Sequence, residues 1–576
     1  MRTWTVLLSG SLCIASLSTA QTGVRHHAAL RHEKPAARTT APEMVFFNAV
    51  IYTGNGLAEG KPETVQAMAV GGGKVLATGT NDEVTRLAGP KTRLFDVDSA
   101  NTGSAIFPGF NDAHTHLGPA GRMKLSLDLT GVKSLAAMLA QTQAYAGKTP
   151  AGHWITGGNW DQTLWAAKAL PTRQDLDRVT AGHPAFLERI DGHIAVANSA
   201  ALAAAHITAQ TRAPQGGAID RDAAGEPTGI LRESAKALVT KLIPPPSPEE
   251  RRKADELAIA DALAHGVTSV QDFSDWQDFL VFEQMEKEGK LDLRITEWLP
   301  FKAPLARLKA MRAHHDARDP MLHTGMLKGF LDGSLGSRTA ALKAPYADDP
   351  GNTGLPQYTQ AQLNRMALER ARAGFQMGFH AIGDKAAAMA LDAYAHLPGV
   401  KKARDRIEHA QVVDPADIRR FAQLGVIASM QPNHLLTDMN WAEARLGPKR
   451  AAYSYAWKKF LDAGVPLAFG TDYPVEPISP FRGLYAAVTR MNVAGTKSYF
   501  PENRLTQDQA LYAYTQGPAY AEFAEKRKGK LEPGYDADFV LLDMDIAKVA
   551  APAILYCNVL GTYVGGREVF IGHAKY

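Results

Sequence analysis

Two histidines lie two residues apart at the end of an apolar segment that resembles a β-strand. His114 and His116 follow the apolar residues 107–110. On a strand this spacing places both side chains on one face, roughly 6–7 Å apart along the chain. Neutral imidazole is the commonest protein ligand for transition metals, so the two rings can chelate one ion. The pair indicates a metal site, although a lone His-x-His pair is also common on surfaces and in cores.

Three more side chains that can bind a metal end other apolar segments. His380 closes one segment, His409 closes a second, and Asp472 follows a third. The carboxyl ends of parallel strands meet at one face of a barrel, and barrel enzymes build their active sites there. We therefore expect these three side chains to converge with the histidine pair.

Lys328 lies in a further short apolar segment, residues 326–332. An isolated lysine at a strand end is normally a solvated cation. A buried neutral lysine, however, can add carbon dioxide and form a carbamate, which bridges metals as a carboxylate does. Two ions held about 3.5–4 Å apart need more ligands than four histidines and one aspartate. Lys328 is therefore a candidate bridge, with Glu233 and Asp332 as rival carboxylates.

The elements that must position these residues share one pattern: a capped helix, a glycine, and a short, continuously apolar strand. The pattern occurs four times, with glycines at Gly266, Gly374, Gly425 and Gly464. Such alternation is typical of parallel strands that are buried on both faces. We predict an α/β fold, a (β/α)8 TIM barrel, with a doubly wound open sheet as the alternative.

Both ends of the chain are rich in β-type segments instead, which predicts one small β-sandwich domain built from the two ends. At the start, Arg2 precedes a short apolar run and small residues at 18–20, the pattern of an export signal. We expect a periplasmic or extracellular protein. The predicted organisation is a signal peptide at 1–20, a flexible lead-in at 21–43, a composite β-sandwich at 44–106 and 529–576, and a barrel at 107–528 with an insertion at about 139–246.

The insertion is longer than one βα unit requires and is dense in aromatic and polar residues. Trp160, Asp161, Arg189 and His193 are candidates for a pocket wall that binds substrate. His434 ends another predicted barrel strand and is a fifth substrate-binding candidate. Ordinary surface residues around a core tryptophan are the alternative interpretation.

Composition excludes several classes of protein. With 45% hydrophobic and 21% charged residues, the chain matches a folded globular protein rather than a disordered or fibrous one. A formal net charge of +4 over 576 residues gives no electrostatic indication of nucleic-acid binding. Two cysteines cannot form a disulfide framework, so stability must come from a large core.

The order His-x-His, Lys, His, His, Asp on βα units resembles the amidohydrolase superfamily of metal-dependent hydrolases. Longer stretches resemble its amidohydrolase family 3, the YtcJ-like group that includes N-substituted formamide deformylases. These stretches are residues 107–117, 157–161, 189–202, 328–342, 379–384, 406–410, 470–474 and 530–538.

The resemblance implies a barrel, a β-sandwich made from both chain ends, and a site for one or two divalent ions, with zinc as the expected metal. It also implies a role for each residue: His114 and His116 bind one ion, His380 and His409 bind the other, Lys328 bridges them as a carboxylated lysine, and Asp472 is both ligand and proton carrier.

We therefore predict an enzyme that hydrolyses an amide-like carbon–nitrogen bond, other than a peptide bond, with metal-activated water. The alternatives are an ester hydrolase, lyase or isomerase on the same site, or a secreted metal-binding protein without catalysis. A serine hydrolase is disfavoured because no G-x-S-x-G occurs. The expected partner is a small-molecule substrate. We expect no binding to nucleic acid and, after signal removal, none to a membrane. A homo-oligomer is compatible with the sequence.

Overall fold

The computed structural model describes residues 41–98, 103–189, 194–214 and 217–572. The predicted signal peptide, nearly all of the predicted lead-in, and His193 lie outside the described residues. None of the described helices combines the length and the apolar character that crossing a membrane requires.

The described residues contain 24 strands, which fall into four sheets. In chain order the strands are β1 (Met44–Phe47), β2 (Val50–Tyr52), β3 (Thr64–Val65), β4 (Ala67–Gly71), β5 (Lys74–Gly79), β6 (Arg93–Asp96), β7 (Ala105–Pro108), β8 (Phe110–Thr115), β9 (Leu127–Asp128), β10 (Ile155–Trp160), β11 (Ala185–Arg189), β12 (Ile194–Ala197), β13 (Gly217–Arg221), β14 (Pro227–Glu233), β15 (Val267–Asp272), β16 (Arg294–Pro300), β17 (Leu322–Phe330), β18 (Met377–Ala381), β19 (Arg406–His409), β20 (Ile427–Met430), β21 (Leu467–Phe469), β22 (Phe539–Leu542), β23 (Val559–Val564) and β24 (Arg567–Ile571).

Nineteen α-helices accompany these strands within the same residues. They are α1 (Asn81–Thr85), α2 (Leu117–Leu125), α3 (Leu135–Ala146), α4 (Arg173–Asp177), α5 (Ser199–Ala204), α6 (Ala237–Thr240), α7 (Pro248–Ala264), α8 (Trp276–Lys287), α9 (Leu305–Arg312), α10 (Gln360–Arg372), α11 (Asp384–Ala395), α12 (Val400–Ala403), α13 (Pro415–Leu424), α14 (Asn433–Asp438), α15 (Ala442–Leu446), α16 (Pro448–Ala451), α17 (Trp457–Asp462), α18 (Pro480–Thr489) and α19 (Gln507–Ala521). Short 3-10 turns lie at Gln162–Leu164, Ser234–Lys236, Pro501–Asn503 and Ala551–Tyr556.

Eight parallel strands form the central barrel, in the order β21-β20-β19-β18-β17-β16-β15-β8. Strand β8 and the segment after β21 lie side by side, since the Asp472 amide donates to the His114 carbonyl at 2.8 Å and the His116 amide donates to the Tyr473 carbonyl at 2.8 Å. These two bonds join the outer strands of the sheet. The predicted α/β barrel is confirmed, and its parallel strands end on one face.

The helix–glycine–strand pattern builds four of the barrel units. In the first, α7 starts with a capping box between Ser247 and Glu250 and carries proline at its first turn. Gly266 then takes φ +75°, a backbone conformation that would be strained for a residue with a side chain. Strand β15 begins at the next residue. A Cβ on Gly266 would also lie 2.8 Å from Val540, so glycine is required for close packing as well.

An insertion separates β8 and α2 from α7. It forms its own six-stranded sheet in the order β13-β14-β12-β11-β10-β9. The sheet begins at Leu127, earlier than the predicted start of the insertion at about residue 139, because a two-residue strand pairs with β10 directly after α2. Strands this short have too few residues for a sequence pattern to reveal them.

Segments from the two chain ends pair with one another. Strand β7 is antiparallel to β22, so that residue Phe107 lies opposite Val540. Both strands belong to a six-stranded sheet in the order β24-β23-β22-β7-β2-β3. A second sheet, β5-β4-β1-β6, shares a core with it, and in that core Phe46 packs edge-on against Phe539. The β-rich ends of the sequence are therefore adjacent in the fold.

A buried ion pair connects the barrel to the C-terminal strands. Arg294, the first residue of β16, donates from Nε to Asp538 Oδ2 at 2.6 Å and from Nη2 to Asp538 Oδ1 at 2.9 Å. Both side chains are almost fully buried. Burial raises the pKa of Asp538, but the charge and hydrogen bonds of Arg294 outweigh burial, so the pKa lies below its usual value.

Replacing Arg294 with methionine is expected to lower the free energy of unfolding by about 3–5 kcal/mol, because the Asp538 carboxylate would stay buried without its partner. Chemical denaturation followed by circular dichroism measures the change. Arg318→Met is the control, since this arginine is 92% exposed and pairs only loosely with Asp316 at 3.5 Å. Equal stability of the two variants would contradict the assigned role of the pair.

Candidate metal centre

The side chains predicted to bind metal meet at the carboxyl end of the barrel. His114 lies near the end of β8 and His116 directly follows this strand. His380 and His409 lie at the ends of β18 and β19, and the four rings lie close together. Ring centroids are 5.4 Å apart for His114 and His116, 4.9 Å for His114 and His409, and 4.4 Å for His380 and His409. The four imidazoles therefore form one cluster.

His114 is fully buried at the centre of the cluster. Its Nδ1 lies 2.7 Å from Glu408 Oε2 and its Nε2 lies 2.8 Å from Lys328 Nζ. Because an ionised carboxylate only accepts hydrogen bonds, the ring proton sits on Nδ1 and the Nε2 lone pair faces Lys328. This is the tautomer that a metal-binding histidine needs.

Asp472 lies between three imidazoles. Its Oδ1 is 3.1 Å from His116 Nε2 and 3.4 Å from His114 Nε2, while its Oδ2 is 3.2 Å from His434 Nε2. Burial raises the pKa of Asp472, but the three histidines outweigh burial and hold the pKa well below its usual range. Asp472 also takes φ +62°, a conformation that costs energy for a residue with a side chain and that recurs at functional sites.

The donor set fits a divalent cation. One ligand atom each from His114, His409 and Asp472 lie within 4.8 Å of one another. His409 Nδ1 is buried and has no hydrogen-bond partner among the described residues. Burial lowers the pKa of His409 well below its usual value and that of His380 to about 4, so both rings are neutral, the form that binds metals.

Two of these histidines also contact main-chain carbonyls. His116 donates from Nδ1 to the Phe273 carbonyl at 2.8 Å, which turns its Nε2 toward Asp472. His380 Nε2 lies 3.2 Å from the Gly333 carbonyl. His116 is thus adjacent to His114, and His380 to His409, next to the three-ligand group.

The three candidate bridges occupy different surroundings. Burial lowers the pKa of Lys328 to about 8, and its Nζ contacts His114 as described above. Asp332 accepts hydrogen bonds from the amides of Ala341, Ile382 and Gly383 at 2.8–3.0 Å. Glu233 is exposed at the end of β14 in the insertion sheet. Lys328 therefore lies next to His114, whereas Asp332 accepts from loop amides and also has its Oδ1 3.5 Å from His380 Nε2.

The substrate-binding candidates of the insertion lie at the end of β10 and β11. Asp161 Oδ1 is 3.0 Å from Arg189 Nη2, so these two side chains are brought together. Trp160 is fully buried in the core of the insertion, and its indole N–H donates to the Leu187 carbonyl at 2.9 Å. These contacts are those of a core residue. Their part in substrate binding stays a prediction, as does that of His193, outside the described residues.

His434 lies in the barrel cluster, where it contacts Asp472. Its pKa is lowered by burial, but the hydrogen bond and charge of Asp472 outweigh burial and raise the pKa to about 9. A protonated His434 donates to Asp472 Oδ2 and fixes the orientation of the carboxylate. His434 therefore contacts Asp472 at the candidate metal centre. Its contact with substrate stays a prediction.

Sequence reasoning missed Glu408 and Arg406, two buried residues that orient His114. Glu408 accepts from His114 and from Arg406 Nε at 2.7 Å, and Arg406 Nη2 donates to the Ala113 carbonyl at 2.8 Å. Arg406 and Glu408 are two residues apart on a short buried strand and therefore share one face, a pattern that was available in the sequence.

Glu408→Gln is expected to weaken metal binding by about 10–100-fold, the usual effect of changing the partner of a metal-binding histidine. The neutral amide can present its NH2 group to His114 Nδ1 and so favour the wrong tautomer. Competition with a chelator measures the affinity, with Glu369→Gln as the control because Glu369 is largely exposed. An affinity equal to that of the control would show that Glu408 does not orient His114.

A parallel barrel with neutral histidines and an ionised aspartate at its carboxyl end is the arrangement of a metal-dependent enzyme. The comparison with known proteins identifies the family. The sequence profile of the amidohydrolase family matches residues 102–570, and the chain belongs to that family.

Relatives of nearly full length agree with this assignment. The chain is 33% identical to YtcJ of Bacillus subtilis (strain 168), over 91% of this chain and 99% of that protein. It is 28% identical to the N-substituted formamide deformylase of Arthrobacter pascens, over 92% of this chain and 98% of that protein. A crystal structure of an uncharacterized metal-dependent hydrolase from Pyrococcus furiosus superposes with a TM-score of 0.72 at 30% identity, covering 88% of this chain and 100% of the other.

Proposed function

We propose that this protein hydrolyses a carbon–nitrogen bond of a small amide other than a peptide, with zinc as its metal. The observation that carries the proposal is the position of Asp472, which contacts two metal-binding histidines through Oδ1 and His434 through Oδ2. A carboxylate held in this way can move a proton beside the reacting group. The likeness to an N-substituted formamide deformylase supports the choice of an amide substrate.

His114, His116, His380, His409 and Asp472 would hold the two zinc ions of the site. When bound, a divalent ion lowers the pKa of a water molecule and polarises a carbonyl group. Asp472 takes the proton from the attacking water and delivers it to the departing nitrogen, which leaves as an amine. His434 holds Asp472 Oδ2 through its Nε2–H, so that Oδ1 faces the reaction.

Lys328 is the bridging residue in this proposal. Addition of carbon dioxide to its neutral amine, with loss of one proton, gives a carbamate with two carboxylate-like oxygens. The nearly complete burial of Lys328 favours the neutral amine that this addition needs. Its Nζ is 2.8 Å from His114 Nε2, so the carbamate would form among the metal ligands.

A substrate panel with zinc-loaded protein tests the proposed reaction. We expect the highest kcat/KM for N-substituted formamides and other small amides, with lower values for matched esters and for dipeptides. Asp472→Asn, purified in parallel, shows how much turnover comes from contaminants. Turnover of esters or dipeptides alone would contradict the proposed bond specificity and favour an esterase or peptidase on the same site.

A further inference from the structure

A second group of potential metal ligands lies at the amino-terminal end of the barrel. Glu286 comes from the last turn of α8, and His315 and Asp319 come from the segment between α9 and β17. One ligand atom from each lies within 4.8 Å of the others. We propose that these three side chains bind a second, structural divalent cation of the zinc class.

The orientation of His315 is that of a metal ligand. Its Nδ1 lies 3.1 Å from Glu283 Oε1, and Glu283 is in turn held by Lys287 Nζ at 2.8 Å. Because an ionised Glu283 can only accept, the ring proton sits on Nδ1 and the Nε2 lone pair is free for a cation. A carboxylate behind a histidine is the usual way in which proteins fix a metal-binding imidazole.

The surroundings of His315 Nε2 distinguish a cation site from an ordinary ion pair. This nitrogen is buried, and no described group forms a hydrogen bond with it. A protonated His315 would need an acceptor there, aligned with its N–H bond. Instead Nε2 lies 3.3 Å from Glu286 Oε2 and 3.7 Å from Asp319 Oδ2, without hydrogen-bond geometry to either.

These separations match a shared metal ion. Nitrogen and oxygen ligands about 2.0–2.2 Å from a tetrahedral zinc ion lie about 3.4 Å from one another. Burial and the charge of Asp319 raise the pKa of Glu286 to about 7, so the two carboxylates lie close enough to repel each other. A divalent cation between them removes this repulsion.

The ligand types narrow the choice of cation. An imidazole nitrogen favours zinc and similar transition metals over calcium or magnesium, which prefer all-oxygen sites. Asp319 Oδ1 accepts from the Met321 amide at 2.7 Å, which leaves Oδ2 for the ion. The side chains of Glu286 and Asp319 are 20% and 29% exposed, so the ion can enter from solvent and water can complete its coordination.

A cation here would tie the end of α8 to the segment that enters β17. This strand carries Lys328 at its far end, six residues beyond Leu322 and therefore roughly 20 Å away along the strand. The proposed site is thus separate from the catalytic centre, and it does not depend on the reaction proposed above.

The test combines a crystal structure with metal counting on the full chain. Anomalous scattering at the zinc edge from zinc-equilibrated wild-type crystals should show a peak among Glu286, His315 and Asp319, in addition to the catalytic metal. His315→Gln should bind one zinc fewer per chain than wild type by elemental analysis, with kcat unchanged. His314→Gln should match wild type, because His314 is a neighbouring imidazole that is outside the ligand group.

Two results would overturn the proposal. One is a wild-type anomalous map without a peak at this position, which decides the question even if a variant fails to fold. The other is equal zinc content in wild type and in folded His315→Gln. If His315→Gln does not fold, Glu286→Gln takes its place in the same comparison. Loss of the catalytic peak alone would instead contradict the proposed function and leave this site supported.

Discussion

Asp472→Asn is expected to lower kcat by about 10²–10⁴-fold, the usual contribution of a general base. Asparagine keeps the size and one acceptor oxygen but cannot take up a proton at neutral pH. Asp472 Oδ1 lies 3.1 Å from His116 Nε2, and in our proposal this oxygen takes up the proton of the attacking water. The remaining imidazoles can still hold metal, so bound metal should fall little.

Metal per chain and kcat should be measured on the same preparation of the Asp472 variant. Asp462→Asn is a suitable control, because Asp462 is 58% exposed at the end of α17 and forms an ion pair with Lys458 on the protein surface. A metal-replete Asp472→Asn enzyme with near-normal turnover would refute the proton-carrier role. Loss of metal together with activity would show that Asp472 acts mainly as a ligand.

Lys328→Ala is expected to lose bound metal, and turnover with it. The loss of affinity should exceed the roughly 10–100-fold change that follows from removing an outer partner of a ligand. Alanine removes both the amine beside His114 Nε2 and, in our proposal, the two bridging oxygens of the carbamate. A short carboxylic acid such as acetate should restore part of the activity by supplying such oxygens.

Elemental analysis and kcat with and without acetate measure this effect. Lys302→Ala is the control, because Lys302 is exposed and its amine lies over the Tyr358 ring, 5.3 Å from the centroid. Normal metal content and normal turnover in Lys328→Ala would contradict the bridging role. Metal loss without any rescue by small acids would leave Lys328 as a support for His114 rather than a bridge.

The barrel and the convergence of the candidate metal ligands were predictable because the relevant signals are local. A helix that ends at glycine before an apolar strand, as at Gly266, is enough by itself to predict one βα unit. Once the strands are parallel, side chains at their ends must meet at one face. This rule was enough to place His380, His409 and Asp472 beside the His-x-His pair.

Contacts between distant parts of the chain were not predictable in the same way. Glu408 lies 294 residues from His114 in the sequence, and the residues around each of them do not indicate that the two side chains pair. The group at Glu286, His315 and Asp319 likewise joins a helix to a loop about one βα unit later. Only the fold brings such residues together.

The insertion shows the limit of composition as a guide. The density of aromatic and polar residues predicted a pocket wall, which stays a prediction; in the structure Trp160 lies in the core of the insertion and donates to a main-chain carbonyl. A buried tryptophan needs an acceptor for its indole N–H, so polar neighbours accompany core tryptophans as well as binding sites. Sequence alone does not distinguish these two settings.

Metal removal and restoration tests the central claim most directly. The protein should be treated with a chelator, freed of it by gel filtration, and assayed for metal by elemental analysis and for amide hydrolysis on one preparation. Turnover should disappear in proportion to the metal removed from the cluster around His114, His409 and Asp472, and zinc or a similar divalent ion should restore it. Full turnover by protein shown to be free of metal would contradict the account.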